Sequence, residues 1–238
     1  MRSKMKIRMF TALCAAVCLA VFSAVYAHAE EEAAGAVLLY QGHGSLRIVT
    51  AEGKVIYVDP YAGKGYDLPA DLILVTHGHG DHNAVKLIKT KNKGCVTLTH
   101  KEALKGGKHQ LFEYGFVTVE AVEAGNNKNH NIKSCVGYIL TFSDGVKLYV
   151  SGDTSTTRQM ETFAERGLDY AFFCCDGVYN MKMAEAIKCA ALVGARVSIP
   201  YHIDPNRIFN RDKAAQFDVS GRLILADGEE ITLSGAAE

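Results

Sequence analysis

From Ala36 onward, apolar runs four to seven residues long and rich in β-branched and aromatic side chains alternate with turn-forming Gly, Asn, Asp and Ser. Runs that short, bounded in that way, predict strands. They fall at positions 36–40, 45–50, 55–59, 72–76, 96–99, 116–119, 136–142, 147–150, 170–174, 197–200 and 222–225. Apolar residues spaced three and four apart predict helices at 83–90, around 101–105, at 158–166 and at 181–193. Glu52-Gly53 and Ser143-Asp144-Gly145 separate consecutive strands as hairpin turns, which implies antiparallel pairing. Later strands are separated by helical stretches and need crossover connections, so helices should cover the sheets. The expected fold class is α/β, with strands outnumbering helices, in one domain over 30–238.

The first positions follow a different pattern. Arg2, Lys4, Lys6 and Arg8 precede an apolar run from Met9 to Tyr26, and Ala27-His28-Ala29 offers a small-x-small cleavage site before Glu30-Glu31-Glu32. Positions 1–29 therefore predict a secretory signal peptide cut after Ala29, and a periplasmic or secreted protein. The same run is also about long enough to span a bilayer as a retained anchor. Release without a stable membrane anchor is the expectation, because neither Cys14 nor Cys18 follows a lipobox.

Composition narrows the choice of partner. With 48% hydrophobic and 22% charged residues the chain is ordinary globular material. Its 26 basic and 26 acidic residues balance, and no Lys/Arg block outside the leader offers a nucleic-acid surface. A small-molecule substrate and no nucleic acid are expected; oligomeric state is open. Cys95, Cys135, Cys174, Cys175 and Cys189 follow the leader, an odd number without CxxC spacing, so at least one thiol should be free.

The segment Asp71-Leu-Ile-Leu-Val-Thr-His-Gly-His-Gly-Asp-His82 ends a strand and then presents four potential metal ligands within six positions. Loops at the carboxyl ends of strands are where α/β proteins place ligand sites. Gly78 and Gly80 let the backbone turn so that neighbouring side chains converge. His77 and His79, two apart on an extended loop, can face one way and grip one metal; Asp81 and His82 can serve a second. Asp153 and His202 each emerge just past a strand, and His130 sits in the polar loop before 136–142. Singly, these three read as a turn carboxylate, a core hydrogen bonder and a loop residue. With the first cluster they complete a site.

Taken in order, His77-x-His79-x-Asp81-His82, His130, Ser151-Gly152-Asp153-Thr154 and Pro200-Tyr201-His202 resemble the signature of the metallo-β-lactamase superfamily, over essentially the whole chain after the leader. Val55-Ile-Tyr-Val-Asp-Pro60 is similar to the family's first motif, with Asp59 ending a strand. Gly42-His43-Gly44-Ser45, Tyr149-Val-Ser-Gly-Asp-Thr154 and Ile199-Pro-Tyr-His202 resemble the branch of L-ascorbate-6-phosphate lactonase-like and N-acyl-phosphatidylethanolamine phospholipase D-like hydrolases. The resemblance implies an αββα sandwich with the site at one edge. It also implies His77, His79 and His130 on a first metal, Asp81, His82 and His202 on a second, and Asp153 bridging.

Imidazole and carboxylate donors suit two divalent transition metal ions, zinc above all, with manganese or iron also admitted. The expected reaction is hydrolysis of an ester, lactone or phosphoester by a metal-bridging hydroxide. Asp81 is the candidate catalytic residue, orienting the water, and Asp59 supports the histidine ligands from behind. Two other functions remain open: a β-lactamase, distinguishable by nitrocefin turnover, and a metal-bound binding or sensor module without catalysis. His43 reads as a hydrogen bonder between turns, with an approach to the site from the first hairpins as the alternative, and His100 and His109 read as surface or core residues. Asp176, Tyr179 and Asn180 follow a strand and are placed to line a pocket, as is Arg207, whose default is a solvated charge. Substrate-binding residues are otherwise unknown from sequence.

Overall fold

The chain enters a sheet at β1 (Val37–Gly42) and continues through β2 (Ser45–Val49), β3 (Val55–Val58), β4 (Ala70–Val75) and β5 (Lys91–Thr99). A short helix α1 (His100–Ala103) and a small hairpin, β6 (Leu104–Lys105) with β7 (Lys108–His109), lead to a second sheet. That sheet is built from β8 (Leu111–Glu113), β9 (Val117–Glu123), β10 (Val136–Phe142), β11 (Lys147–Val150), β12 (Tyr170–Cys174) and β13 (Val197–Tyr201), with helix α2 (Met183–Val193) between the last two. After the short helix α3 (Arg211–Ala214), β14 (Glu230–Thr232) returns to pair with β1. This is a computed structural model, and it describes residues 35–236. The expected leader, its Ala29 junction, Cys14 and Cys18 lie outside the described residues.

The two six-stranded sheets run β14-β1-β2-β3-β4-β5 and β13-β12-β11-β10-β9-β8. Each is mixed in the same sense: hairpin neighbours pair antiparallel, whereas β3-β4-β5 and β11-β12-β13 pair parallel. Side-chain alternation explains the layering. Ile56, Val58, Leu72 and Leu74 face the core shared with Val119, Tyr138, Leu140 and Phe172 of the second sheet. Val55, Tyr57, Ile73 and Val75 point the other way into a smaller cluster with Ile88. A period of two with both faces apolar is the mark of strands buried on both sides. Each fully buried Leu, Ile or Val contributes about 1.5–3 kcal/mol.

This α/β sandwich agrees with the expected fold class, although its outer layers are unequal. α2 covers the second sheet, burying Ala186, Cys189, Ala190 and Val193. Over the first sheet the expected helix at 83–90 is only a 3-10 turn, Val85–Leu87, because Ala84 N–H is tied back to Pro60 O and the chain re-extends into β5. The expected helix at 158–166 is likewise two 3-10 turns, Arg158–Thr162 and Ala164–Arg166. Met160 and Phe163 are both fully buried, and a spacing of three matches the 3-10 repeat. The expected strand at 222–225 reduces to one bridge, Ser198 with Arg222. β5 begins five residues earlier than the apolar pattern suggests, its added residues Lys91 to Cys95 being a mostly exposed polar edge. All five cysteines among the described residues are unpaired.

Candidate metal centre

Asp59, Thr76, Asp153, Asp176 and His202 all sit just beyond the carboxyl ends of β3, β4, β11, β12 and β13, so one edge of the sandwich gathers them. Of the four non-glycine residues with positive φ among the described residues, three lie here: His43 (52°), Asp59 (44°) and His202 (45°). The fourth, Asn126 (63°), opens the loop to His130. Left-handed backbone costs about 1–2 kcal/mol at such residues and persists only where surrounding bonds hold it. Those bonds are present: His43 N–H donates to Ile208 O at 2.6 Å, and His43 O accepts from His202 N–H at 2.9 Å and from the Tyr40 hydroxyl at 3.1 Å.

The structure brings together every sequence-predicted ligand candidate. Donor atoms of His77, His79 and His130 lie within 4.8 Å of one another, as do those of His43, Asp81, His82 and His202. A third set, His77, His82 and Asp153, joins the two. Asp153 is central: its Oδ1 is 3.3 Å from His82 Nε2, and its Oδ2 is 3.2 Å from His130 Nε2 and 3.5 Å from His202 Nε2. His79 is exposed, His77, His82, His130, Asp153 and His202 are buried, and Asp81 is intermediate.

Hydrogen bonds behind the cluster fix the rings. Asp59, fully buried, accepts from Thr76 N–H at 2.7 Å, from the Thr76 hydroxyl at 2.6 Å and from His82 Nδ1 at 2.7 Å. Having given its one proton to Asp59, the Thr76 hydroxyl accepts from His77 Nδ1, 3.1 Å away. His77 Nε2 and His82 Nε2 are then turned into the cluster, buried and without hydrogen-bond partners. His202 Nε2 and Asp153 Oδ1 are orphaned in the same way. Buried polar atoms normally have partners. A ring of orphaned imidazole nitrogens around a carboxylate fits divalent transition metals, and the carboxylate behind His82 is the usual orienting partner of a metal-binding histidine.

Electrostatics follow from this crowding. Burial would raise the Asp153 carboxyl, but the imidazoles of His202, His82 and His130 prevail and hold it well below the usual carboxylate range. Burial works against a proton on His82, yet Asp153 and Asp59 raise it well above the ordinary histidine value. Burial pushes His77 down to about 2, helped by His82, and His202 down to about 4, helped by His43 and His82. The hydrogen bond from His43 holds the Asp81 carboxyl below its ordinary value.

The structure assigns His43 a larger part than the turn-bonding role expected from sequence. Its Nε2 meets Asp81 Oδ2 at 3.1 Å, and its ring lies 3.6 Å from that of His202. The Gly42-His43-Gly44 turn is the sequence signal for this: Gly44 leaves room for the His82 ring, which a Cβ there would meet at 2.7 Å. Asn127 also joins the site, because its Oδ1 accepts from both Asn129 N–H and His130 N–H at 2.9 Å and so sets the loop carrying His130.

A cavity of about 390 Å³ opens on the cluster, lined by His79, Asp81, Asn129, His130, Asp153, Tyr179 and His202. Of the pocket candidates, Tyr179 lines it, and Asp176 stands behind it with Oδ2 3.5 Å from His202 Nδ1 and 2.8 Å from Asn180 Nδ2. Arg207 is exposed and outside this lining. His100 borders a neighbouring cavity of about 330 Å³ with His77, His79 and Cys135.

Residues 37–202 match the family model described as the β-lactamase superfamily domain. Relatives named UPF0173 metal-dependent hydrolase include one from Thermococcus onnurineus, 30% identical over 68% of this chain and 82% of that protein. Another, from Geobacillus sp., is 30% identical over 82% of this chain and 98% of that protein. Among solved structures, a Parabacteroides distasonis protein provisionally named a metal-dependent hydrolase superposes with a TM-score of 0.67 at 28% identity, covering 80% of this chain and 91% of that one. With its two mixed sheets, its histidine and aspartate cluster and these relatives, the chain belongs to the β-lactamase superfamily and is a metal-dependent hydrolase.

Proposed function

We infer that the protein is an exported hydrolase that cleaves an ester, lactone or phosphoester bond at a two-metal site. The observation that carries this reading is the pair of donor groups, His77 with His79 and His130, and Asp81 with His82 and His202, meeting at Asp153. His77, His79 and His130 would hold one ion, Asp81, His82 and His202 the other, with Asp153 shared. Zinc suits these donors, and manganese or iron are the competing loads. Bound ions of this kind supply Lewis acidity and lower the pKa of water.

The chain's own groups do the rest. Asp81, partly exposed to the cavity and held by His43, orients the attacking water and takes its proton. Asp59 keeps His82 with Nε2 directed inward, and Thr76 does the same for His77. Asp176 stands behind His202, its Oδ2 3.5 Å from Nδ1. Water adds to the carbonyl or phosphoryl centre, the bond to the leaving oxygen breaks, and the proton held at Asp81 passes to that oxygen. Export rests on the leader pattern at 1–29.

The test is metal analysis of the purified, processed protein beside a His79→Ala variant, with mass spectrometry of the exported chain's N-terminus. About two ions per chain, loss of one with most of the hydrolysis in the variant, and a chain starting at Glu30 are expected. A protein that takes up no stoichiometric transition metal, or a variant with undiminished activity, sinks the hydrolytic reading. An unprocessed chain retained in the cell sinks the export reading alone.

A further inference from the structure

The cavity of about 390 Å³ on the metal cluster has a neighbour of about 330 Å³, and His79 and Asn129 line both. His79 is the exposed member of the ligand set, so both spaces border the candidate ligand most open to solvent. Asn129 is held in the shared wall, its Nδ2 donating to Tyr179 O at 3.0 Å and its N–H to Asn127 Oδ1 at 2.9 Å. Beyond these two residues the second cavity is bordered by His77, Gly78, His100, Asn131, Ser134 and Cys135.

The two cavities differ in charge. The first carries the carboxylates Asp81 and Asp153, whereas the lining of the second holds no Asp, Glu, Lys or Arg among the described residues. Lys101 and Lys133 are exposed and outside that lining. Burial pushes the Cys135 thiol up to about 11, and burial with Lys101 nearby holds the His100 imidazole below the ordinary histidine value, so neither adds charge near neutral pH.

Neutral hydrogen-bonding groups remain. Lys133 N–H donates to Asn131 Oδ1 at 2.9 Å, which leaves the Asn131 NH2 to offer. The Ser134 hydroxyl donates to Asn131 O at 3.3 Å, which leaves its lone pairs. His100 Nδ1 is buried without a hydrogen-bond partner, a condition that buried polar atoms normally avoid. The His100 ring is seated against the ligand run, since a Cβ on Gly78 would lie 3.6 Å from its Cε1, and the Thr99–Glu102 capping box fixes the start of α1 that carries it. A charged group entering this space would lose hydration and find no counter-charge in the lining, whereas a hydroxyl or amide exchanges its water bonds for protein ones.

Resting on the hydrolytic reading above, we propose that the substrate is a small molecule that extends past His79 into the second cavity, where Asn131, Ser134 and His100 receive an uncharged arm bearing a hydroxyl or amide. The experiment measures calorimetric affinity of the zinc-loaded protein for hydroxamates with arms of two to five methylenes ending in methyl, carboxamide, carboxylate or ammonium. Hydrolysis of matching p-nitrophenyl esters and metal content are followed in parallel. At the best length the carboxamide end should bind about 2- to 10-fold tighter than the methyl end, the worth of one hydrogen bond. Asn131→Asp keeps the acceptor for Lys133 N–H but replaces the NH2 by a carboxylate oxygen. It should abolish the carboxamide advantage and strengthen the ammonium end about 2- to 5-fold. Leu111→Asp, the same charge change at an exposed residue of β8, should do neither.

Equal affinity for all four ends at every length overturns the subsite, and so does a carboxamide advantage that survives Asn131→Asp or is lost equally in Leu111→Asp. A carboxylate end that binds tighter than the carboxamide overturns it in favour of an anionic arm drawn to Lys101 or Lys133. Failure of every hydroxamate to bind overturns it too, and metal content with ester turnover then shows separately whether the hydrolytic reading stands. A carboxamide advantage that Asn131→Asp removes, without ester turnover, upholds the subsite and removes the carboxylic-ester form of the hydrolytic reading.

Discussion

His43 Nε2 stands 3.1 Å from Asp81 Oδ2 although the two residues are 38 apart in sequence, and the same ring packs 3.6 Å from His202. One side chain thus steadies two candidate ligands of the same metal. His43→Ala should lower kcat and metal affinity about 10–100-fold, the usual cost of losing an outer partner of a ligand. His43→Asn separates two causes, because Asn tolerates positive φ but its shorter amide falls short of Asp81. Steady-state kinetics and metal titration of both variants check this. Full activity in His43→Ala ends the idea, and full activity in His43→Asn alone shows that backbone strain was the whole effect.

Asp59 accepts three hydrogen bonds, two on Oδ2 and one on Oδ1. In Asp59→Asn one oxygen becomes an NH2 donor facing either Thr76 N–H or the shared site of Thr76 Oγ1 and His82 Nδ1. A buried donor left against a donor costs about 1–3 kcal/mol. The expected result is a lower Tm without metal and zinc affinity reduced about 10–100-fold. Unchanged zinc affinity, measured by competition with a chelator, would show that His82 holds its orientation without Asp59.

Gly44 is required by space rather than by backbone freedom. A Cβ there would lie 2.7 Å from His82 Cε1 and 3.1 Å from its Nδ1, and that ring is fully buried and tied to Asp59. Gly44→Ala must therefore shift the ring or the β1–β2 turn, at about 1–3 kcal/mol for overpacking. Loss of zinc uptake with only a modest drop in Tm is expected. Zinc affinity equal to the unsubstituted protein would mean that the turn moves instead.

The strands were legible because β3 and β4 alternate between two apolar clusters, a pattern written directly in Val55 to Val58 and Ala70 to Val75. The His77–His82 run stood out as a candidate site because its four possible ligands are local. Asp153 and His202 could be placed only by their position after strands, and the family resemblance supplied the rest. His43 was only partly legible: the glycine-flanked turn allowed an approach to the site, but the contact with Asp81 depends on the β1–β2 turn meeting the loop after β4 at one end of the same sheet, across two strand pairings. The segment at 83–90 misled because its apolar spacing serves Ile88, a residue of the outer cluster, while Pro60 O holds the chain open.

Metal removal should leave a protein whose stability peaks near pH 6.5, the ordinary histidine value. Below it, the unfolded chain protonates His77, His82 and His202, whereas in the folded chain burial keeps His77 neutral to about pH 2 and His202 to about pH 4. His82 is already protonated when folded, because Asp153 and Asp59 raise it. The unfolded state then binds two more protons from this set, so stability falls as pH falls, by up to about 1.4 kcal/mol per pH unit for each. His100 and His109, both lowered by partial burial, act in the same sense. Above pH 6.5 the sign reverses. Folded His82 holds a proton that the unfolded chain has lost, and its contribution disappears as pH rises through its folded value. Asp81 and Asp153, both lowered, contribute above the ordinary carboxylate range and lose that contribution only in stronger acid. With metal bound, His82 must give up its proton to ligate, so alkaline pH favours the loaded form and the decline above pH 6.5 should vanish. Thermal unfolding from pH 5 to pH 9, with chelator and with zinc, measures both curves at about 2–4 °C per kcal/mol. A chelated protein whose Tm climbs without a maximum through pH 8 would show that His82 is neutral in the metal-free fold.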